Sequence, residues 1–229
     1  ETYFRARLAL LMKPALTSMA LRKKSISDLV RLGINPVLGD STQYMQRSSV
    51  SLIVNLIGLH NAVYGILGFK NDKEGKEILH KVIETAVDVA SKKAKELSVN
   101  VMICITESDG SDRFVSLDEE RYGKDSVLKI IDDETYSQGI TLDGGTMTEL
   151  TAKSAEIVEC NKITKILNGG LLVSLKIPGG TKVTQIKKLI EKTCSVIDSF
   201  KPVIKITICG NCGFKGEKLG DKCSACKST

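Results

Sequence analysis

Four cysteines in two pairs, Cys209-Gly-Asn-Cys212 and Cys223-Ser-Ala-Cys226, carry the strongest chemical signal in the chain. Each Cys-x-x-C sets two thiols at the tip of a tight turn, close enough to chelate one metal ion. The second pair completes a tetrahedral set of the kind zinc takes in structural ribbons. Ten residues rich in glycine and lysine separate the pairs. Gly210 and Gly213 are expected to take positive φ in the first turn, and Gly220 does similar work before the second pair. Two disulfides are the competing reading, although nothing else in the chain looks secreted. Zinc ribbons close many unrelated domains, so the motif alone names no function.

Other residue types give weaker signals. His60 stands at a helix start and His80 among charged residues on a polar face, and both read as structural or solvated. Cys104 and Cys194 read as buried small hydrophobes, whereas Cys160, between Glu159 and Asn161, reads as less buried. Thr106-Glu107-Ser108-Asp109-Gly110-Ser111-Asp112-Arg113-Phe114 follows a predicted strand, the place where α/β proteins bind ligands. Its hydroxyls and arginine suit a phosphate. Its three acidic residues would repel one, and a solvated turn is the alternative.

The elements that must position these residues alternate. Leu8, Leu11, Met12, Ala15, Leu16 and Met19 form a helical stripe within residues 2–24, which Pro14 should kink or split. The cluster Arg22-Lys23-Lys24 reads as a solvated helix end. Ser25 or Ser27 is expected to cap a short helix through Leu32, stopped by Gly33. Residues 34–47 read as a loop. Val50–Ile57 and Val99–Thr106 read as strands buried on both faces. A helix is expected over Leu59–Leu67. Residues 73–97 make the clearest helix, with Leu79, Val82, Ile83, Ala86, Val87, Ala90 and Leu97 on one side. Residues 107–126 and Thr135–Thr148 read as turn-rich or loop, and Glu149–Leu167 as helical. Gly169-Gly170 opens a predicted strand, Leu171–Ile177. Thr181 is expected to cap a helix through Phe200, with Val183, Ile186, Leu189, Ile190, Cys194 and Ile197 facing the core. Val203–Ile208 is the last predicted strand and leads into the first knuckle. This alternation predicts an α/β architecture with mostly parallel strands. The domain reading is a helical segment over 1–47, an α/β region over 48–208 and a zinc-binding ribbon over 209–229.

The 229 residues carry 42% hydrophobic and 26% charged side chains and only four prolines, which excludes a disordered chain. The formal charge is +6, and four thiolates with one zinc would bring it to +4, mildly basic and suited to a phosphate-bearing partner. Three cysteines outside the pairs point to a reducing cytoplasm. No apolar run reaches the length of a membrane span, so no membrane partner is expected. The chain begins Glu-Thr-Tyr rather than with Met, and it reads as a piece of something longer.

The order of these pieces resembles the C-terminal half of the large subunit of anaerobic, class III ribonucleotide reductases, a glycyl-radical family. Ser48-Ser49-Val50 through Gly58-Leu59 and Ala62 resembles its strand-turn-helix. Glu107-Ser108, Arg113-Phe114, Leu117-Asp118 and Tyr122-Gly123 resemble its loop of Glu, Ser or Thr, Arg-Phe, Asp and Tyr-Gly. Lys165 to Gly170 resembles its Gly-Gly segment before a strand, and Ile206 to Cys226 its strand leading into a four-cysteine zinc site. The resemblance spans about residues 20–229. It implies half of a ten-stranded α/β barrel with helices outside, whose reactive cysteine sits on an inner loop. It further implies a ribonucleotide substrate with its phosphates near Glu107, Ser108, Ser111 and Arg113. A structural zinc on Cys209, Cys212, Cys223 and Cys226, and a radical-SAM activating enzyme as partner, complete the set. The family's radical glycine lies in an Arg-x-x-Gly-Tyr-like segment after the zinc site, and its reactive cysteine and regulatory helices lie before the region matched here. None of Cys104, Cys160 or Cys194 takes a catalytic role, and His60-Asn61 departs from the family's more acidic or amide pair.

An open half-sheet leaves a strand edge, so a partner is expected: the remaining half of the reductase, a companion chain or a second copy. Two other functions compete. One is an inactive relative acting as scaffold or regulator. The other is a nucleic-acid-binding ribbon with Lys215, Lys218, Lys222 and Lys227 on its surface. Only Phe214 there could stack on a base, so nucleic acid is not the expected partner.

Overall fold

The computed structural model describes residues 1–34, 50–108, 111–131, 135–144, 154–204, 206–216 and 222–228. Most of the loop expected over 34–47 lies outside these residues, as do Asp109, Gly110, Gly145, Lys218 and Gly220. The chain forms two compact units, Glu1–Gln138 with Ile163–Gly170, and Gly139–Lys162 with Leu171–Thr229.

In the first unit, helix α1 (Thr2–Arg31) is one continuous helix with Pro14 inside it. The expected break does not occur. Proline removes the N–H that would bond the Leu10 carbonyl, but Leu10 is exposed and water can replace that bond. Met12 and Leu16, on either side of Pro14, are buried, and α1 packs along helix α2 (Lys73–Leu97). Ser25 is mid-helix rather than a cap, with its hydroxyl donating to the Leu21 carbonyl at 3.2 Å. Lys23 is likewise mid-helix and reaches the Val50 carbonyl at 2.6 Å. The stripe read from sequence is shifted, since Leu11 and Ala15 are exposed. The helix ends in a Schellman motif: Gly33 takes φ +73°, its N–H bonds Val30 O, and Ile34 N–H bonds Leu29 O.

Strand β1 (Ser51–Asn55) pairs in parallel with β2 (Asn100–Cys104), and α2 joins them. Asp72 caps α2 by accepting the Gly75 N–H at 3.1 Å. Ile78, Leu79, Val82, Ile83, Ala86 and Ala90 are buried on its inner face, as the periodicity requires. Burial on both faces holds at the end of β2, where Ile103 and Cys104 on opposite faces are both buried, but not in β1, where Leu52 is buried and Ile53 on the opposite face is 60% exposed. Asn61–Ile66 is a π-helical turn, with Leu67 N–H bonding Ala62 O five residues back. The other side of β2 receives Asn168-Gly169-Gly170. Asn168 bonds Ile103 N–H and the Val101 carbonyl, and Gly169 N–H bonds Ile103 O at 2.9 Å. A Cβ on Gly169 would sit 2.8 Å from that oxygen, so only glycine permits the approach.

Helices α3 (Ser111–Tyr122) and α4 (Lys124–Leu128) occupy the stretch read as turns. Val115, Val127 and Ile131 form a small core with Tyr136 against it, and the Tyr136 hydroxyl donates to Asp118 Oδ2 at 2.6 Å.

The second unit holds a parallel sheet in the order β3 (Ile140–Asp143), β4 (Val173–Ile177), β5 (Phe200–Ile204). Helix α5 (Ala155–Ile166) lies in the crossover from β3 to β4, and helix α6 (Val183–Cys194) in that from β4 to β5. Strand β3 replaces part of a predicted loop. Helix α6 stops six residues short of Phe200, which begins β5. Its first residue is Val183, which is exposed, and Gln185 rather than Thr181 bonds its start by accepting from Lys182 N–H. Thr181 instead donates to the Pro178 carbonyl. Cys194 is exposed and Thr193 is fully buried in its place, while Ile186, Leu189 and Ile190 are half-buried and Ile197 is buried, as expected. Cys160 is 1% exposed on α5, against the less buried position read from its charged neighbours. Burial, then the Glu159 charge, pushes its thiol up to about 11.

Candidate functional site

The ribbon begins with Thr207–Ile208 (β6), antiparallel to Lys215–Gly216 (β7), and this hairpin carries the first knuckle at its turn. Both knuckles repeat one backbone design. Gly213 N–H bonds Cys209 O at 2.9 Å, and Lys227 N–H bonds Cys223 O at 2.9 Å. Cys209 N–H bonds Phe214 O, and Cys223 N–H bonds Ser228 O, both at 2.8 Å. The residue after the second cysteine is left-handed in each, Gly213 at φ +70° and Lys227 at φ +62°. Gly210 does not need the positive φ expected of it; the turn places that demand on Gly213 alone in the first knuckle. The second knuckle makes the same demand of a lysine.

The four sulfurs all lie within 4.8 Å of one another. Cys209 and Cys226 Sγ are 3.7 Å apart, as are Cys212 and Cys223 Sγ. A tetrahedral metal site with bonds of about 2.3 Å has sulfur–sulfur edges of about 3.8 Å, whereas a disulfide brings sulfurs to about 2.05 Å. The quartet fits one metal ion and does not form the two disulfides. Cys209 and Cys223 are buried, Cys226 is half-buried and Cys212 is exposed. The Ser228 hydroxyl lies 3.0 Å from Cys226 Sγ and 3.4 Å from Cys209 Sγ. Its hydrogen bond is the main cause that pulls the Cys209 thiol down to about 6 and lowers Cys226 too. Cys212 accepts from the Phe214 backbone, yet its hydrogen bond with Cys226, then desolvation, then its bonds with Cys209 and Cys223 push it up to about 12. Among the described residues no histidine joins the quartet.

The segment after β2 places its residues differently. Ser111 opens α3 and is 1% exposed, Ser108 is half-buried, and Glu107 and Arg113 are exposed. Gln138, which the sequence did not single out, ties the segment together. Its Oε1 accepts from Ser108 N–H at 2.5 Å, and its Nε2 donates to Ser111 Oγ. Thr106 is held on both backbone groups by the Asn55 amide, each bond 2.9 Å. Asn61 also acts as a clamp, donating to Ile130 O at 2.7 Å and accepting from Ser137 N–H at 2.6 Å. His60 lies with its ring 5.6 Å from that of Tyr64. Cys104 is buried at the end of β2, and burial raises its thiol pKa.

No protein-family model matches the sequence, and no curated relative does. Solved structures do. An anaerobic ribonucleotide reductase from Thermotoga maritima, with dATP bound in its specificity site, superposes over 99% of this chain with a TM-score of 0.64 at 18% identity. The same enzyme with MES in its active site superposes over 98% with a TM-score of 0.66 at 19% identity. A further anaerobic ribonucleotide reductase structure superposes over 99% with a TM-score of 0.65. The chain has the fold of part of an anaerobic ribonucleotide reductase. It covers 36%, 36% and 34% of those three chains, about a third of their length. Identity this low establishes the shared fold and leaves activity to be argued from the residues.

Proposed function

We propose that the chain is part of an anaerobic ribonucleotide reductase and supplies half of a ten-stranded α/β barrel ending in a zinc ribbon. The observation that carries this reading is the superposition of 98–99% of the chain on about a third of such reductases. The cysteine quartet and the parallel sheets support it. The exposed face of β1 around Ile53 supports a covering partner: the rest of the reductase, a companion chain or a second copy.

Cys209, Cys212, Cys223 and Cys226 would hold zinc, whose preference for four thiolates in a closed tetrahedral set matches the geometry. Bound zinc cross-links the ribbon and has no open position for activating water. The substrate's phosphates would lie beyond the carboxyl end of β2, near Glu107, Ser108, Ser111 and Arg113. There Arg113 supplies charge, while Ser111 and Gln138 hold the start of α3 in place. Reduction of a ribonucleotide by thiyl and glycyl radicals is the activity proposed for the assembled enzyme, in the cytoplasm and with a radical-SAM activating partner. No residue of this chain is assigned either radical.

The sequence encoded on either side of this chain tests the reading, followed by anaerobic assay of the assembled product for deoxyribonucleotide formation. An upstream cysteine loop, a downstream Arg-x-x-Gly-Tyr-like segment and turnover are the expected results. Flanks with neither motif would overturn the enzyme reading and favour a scaffold.

A further inference from the structure

Ser228 stands two residues beyond the last cysteine, and its side chain lies between the two knuckles. Its Oγ approaches Cys226 Sγ of the second knuckle at 3.0 Å and Cys209 Sγ of the first at 3.4 Å. These sulfurs form one edge of the quartet, 3.7 Å apart. A thiolate only accepts hydrogen bonds, so with a metal bound the hydroxyl must be the donor along that edge. The backbone holds the serine in place, because its carbonyl accepts the Cys223 N–H at 2.8 Å. From the other knuckle, Asn211 Nδ2 approaches Cys226 Sγ at 3.8 Å. Four thiolates around a divalent metal carry a net charge of about −2, and donors to sulfur spread that charge while fixing ligand orientation.

We propose that Ser228 is a positioning residue of the metal centre, its hydroxyl bridging Cys209 and Cys226 and drawing electron density from those two sulfurs. This rests on the quartet holding a metal, which the metal content of the unmodified chain tests separately. The pattern Cys-x-x-Cys-x-Ser contains the residue in sequence, but only the folded ribbon brings it to Cys209. An alanine at this position keeps the backbone bond and removes only the hydroxyl.

The test uses the full chain loaded first with zinc, for chelator competition, and then with Co(II), for its sulfur-to-metal charge-transfer absorption. Ser228→Ala is expected to weaken zinc binding about 10- to 100-fold, the range for loss of a partner just outside the ligands. It should also move the Co(II) band to lower energy, since a sulfur without its hydrogen bond gives up electrons more readily. Ser228→Thr keeps the hydroxyl and should restore both. The proposal fails if Ser228→Ala leaves either quantity unchanged, or if Ser228→Thr falls with it. An alanine variant that binds no metal supports the proposal when the threonine variant binds, and overturns it when that variant does not. An unmodified chain that takes up neither zinc nor cobalt would sink the metal reading itself.

Discussion

Helices α1 and α2 are held by side chains withdrawn from water: Leu16, Val82, Ile83, Ala86 and Ala90 are all fully buried. Among the described residues of the ribbon, Asn211, Phe214, Lys215, Ser224, Ala225 and Lys227 are all exposed, and the buried positions are Cys209 and Cys223. The first region follows apolar area, at about 25 cal/mol per Å² buried. The described part of the second buries almost no such area, so its order rests on the four cysteines, their backbone bonds and, on the proposed reading, an ion held between them. One chain therefore contains a part that a small apolar change damages gradually and a part that a single ligand change should remove.

Cys223→Ser gives the largest expected effect. Structural zinc contributes on the order of 10 kcal/mol to the fold of small ribbons. Metal analysis should show loss of bound zinc, and hydrogen exchange should show the ribbon open while α2 stays protected. Retained metal would break the contrast. Ile83→Ala should cost about 2–5 kcal/mol, read in denaturant melts, and should leave zinc content unchanged.

Gln138→Ala sharpens the contrast inside the first unit. It removes one hydrogen bond from the Ser108 N–H and one from the buried Ser111 hydroxyl and should cost about 0.5–1.5 kcal/mol. Faster exchange at the Ser108 amide, ahead of α2, is the signature. Cys160 provides a pH test. Its folded value of about 11 lies above the ordinary 9.0, so the unfolded chain releases the thiol proton first. The stability from this group is complete below pH 9.0 and is lost as pH rises towards 11. Alkaline melts should show that loss, and iodoacetamide at neutral pH should label exposed Cys194 while sparing Cys160. The smallest effect is expected from Lys227→Gly. Relieving a left-handed lysine is worth about 1 kcal/mol, seen as slightly tighter zinc retention against a chelator.

Local patterns were the legible part. The Cys-x-x-C spacing identified four sulfurs that do converge, because a tight turn sets that geometry within a few residues. Helix α2 followed its apolar repeat because 25 residues of one period leave little ambiguity. Helices α3 and α4 were missed because their many polar residues and bounding glycines look like turn signals. They form around the small core of Val115, Val127 and Ile131. Strand β3 has four residues between glycines, and its pairing with β4 gives it an identity that its composition lacks. Cys160 was misjudged because flanking Glu159 and Asn161 point elsewhere on a helix, while its own face is inward.

By itself the sequence determined the cysteine quartet, most of the alternation of helices and strands, and the length and inner face of α2, since each depends on neighbours along the chain. Only the tertiary structure decided that Gln138 braces Ser108 and Ser111, that Asn168 and Gly169 line β2, and that Ser228 spans two cysteines from opposite knuckles. Those contacts join residues 19 or more positions apart, except within the second knuckle. Hydrogen bonds of that range leave no period or composition for a reader of the sequence to find.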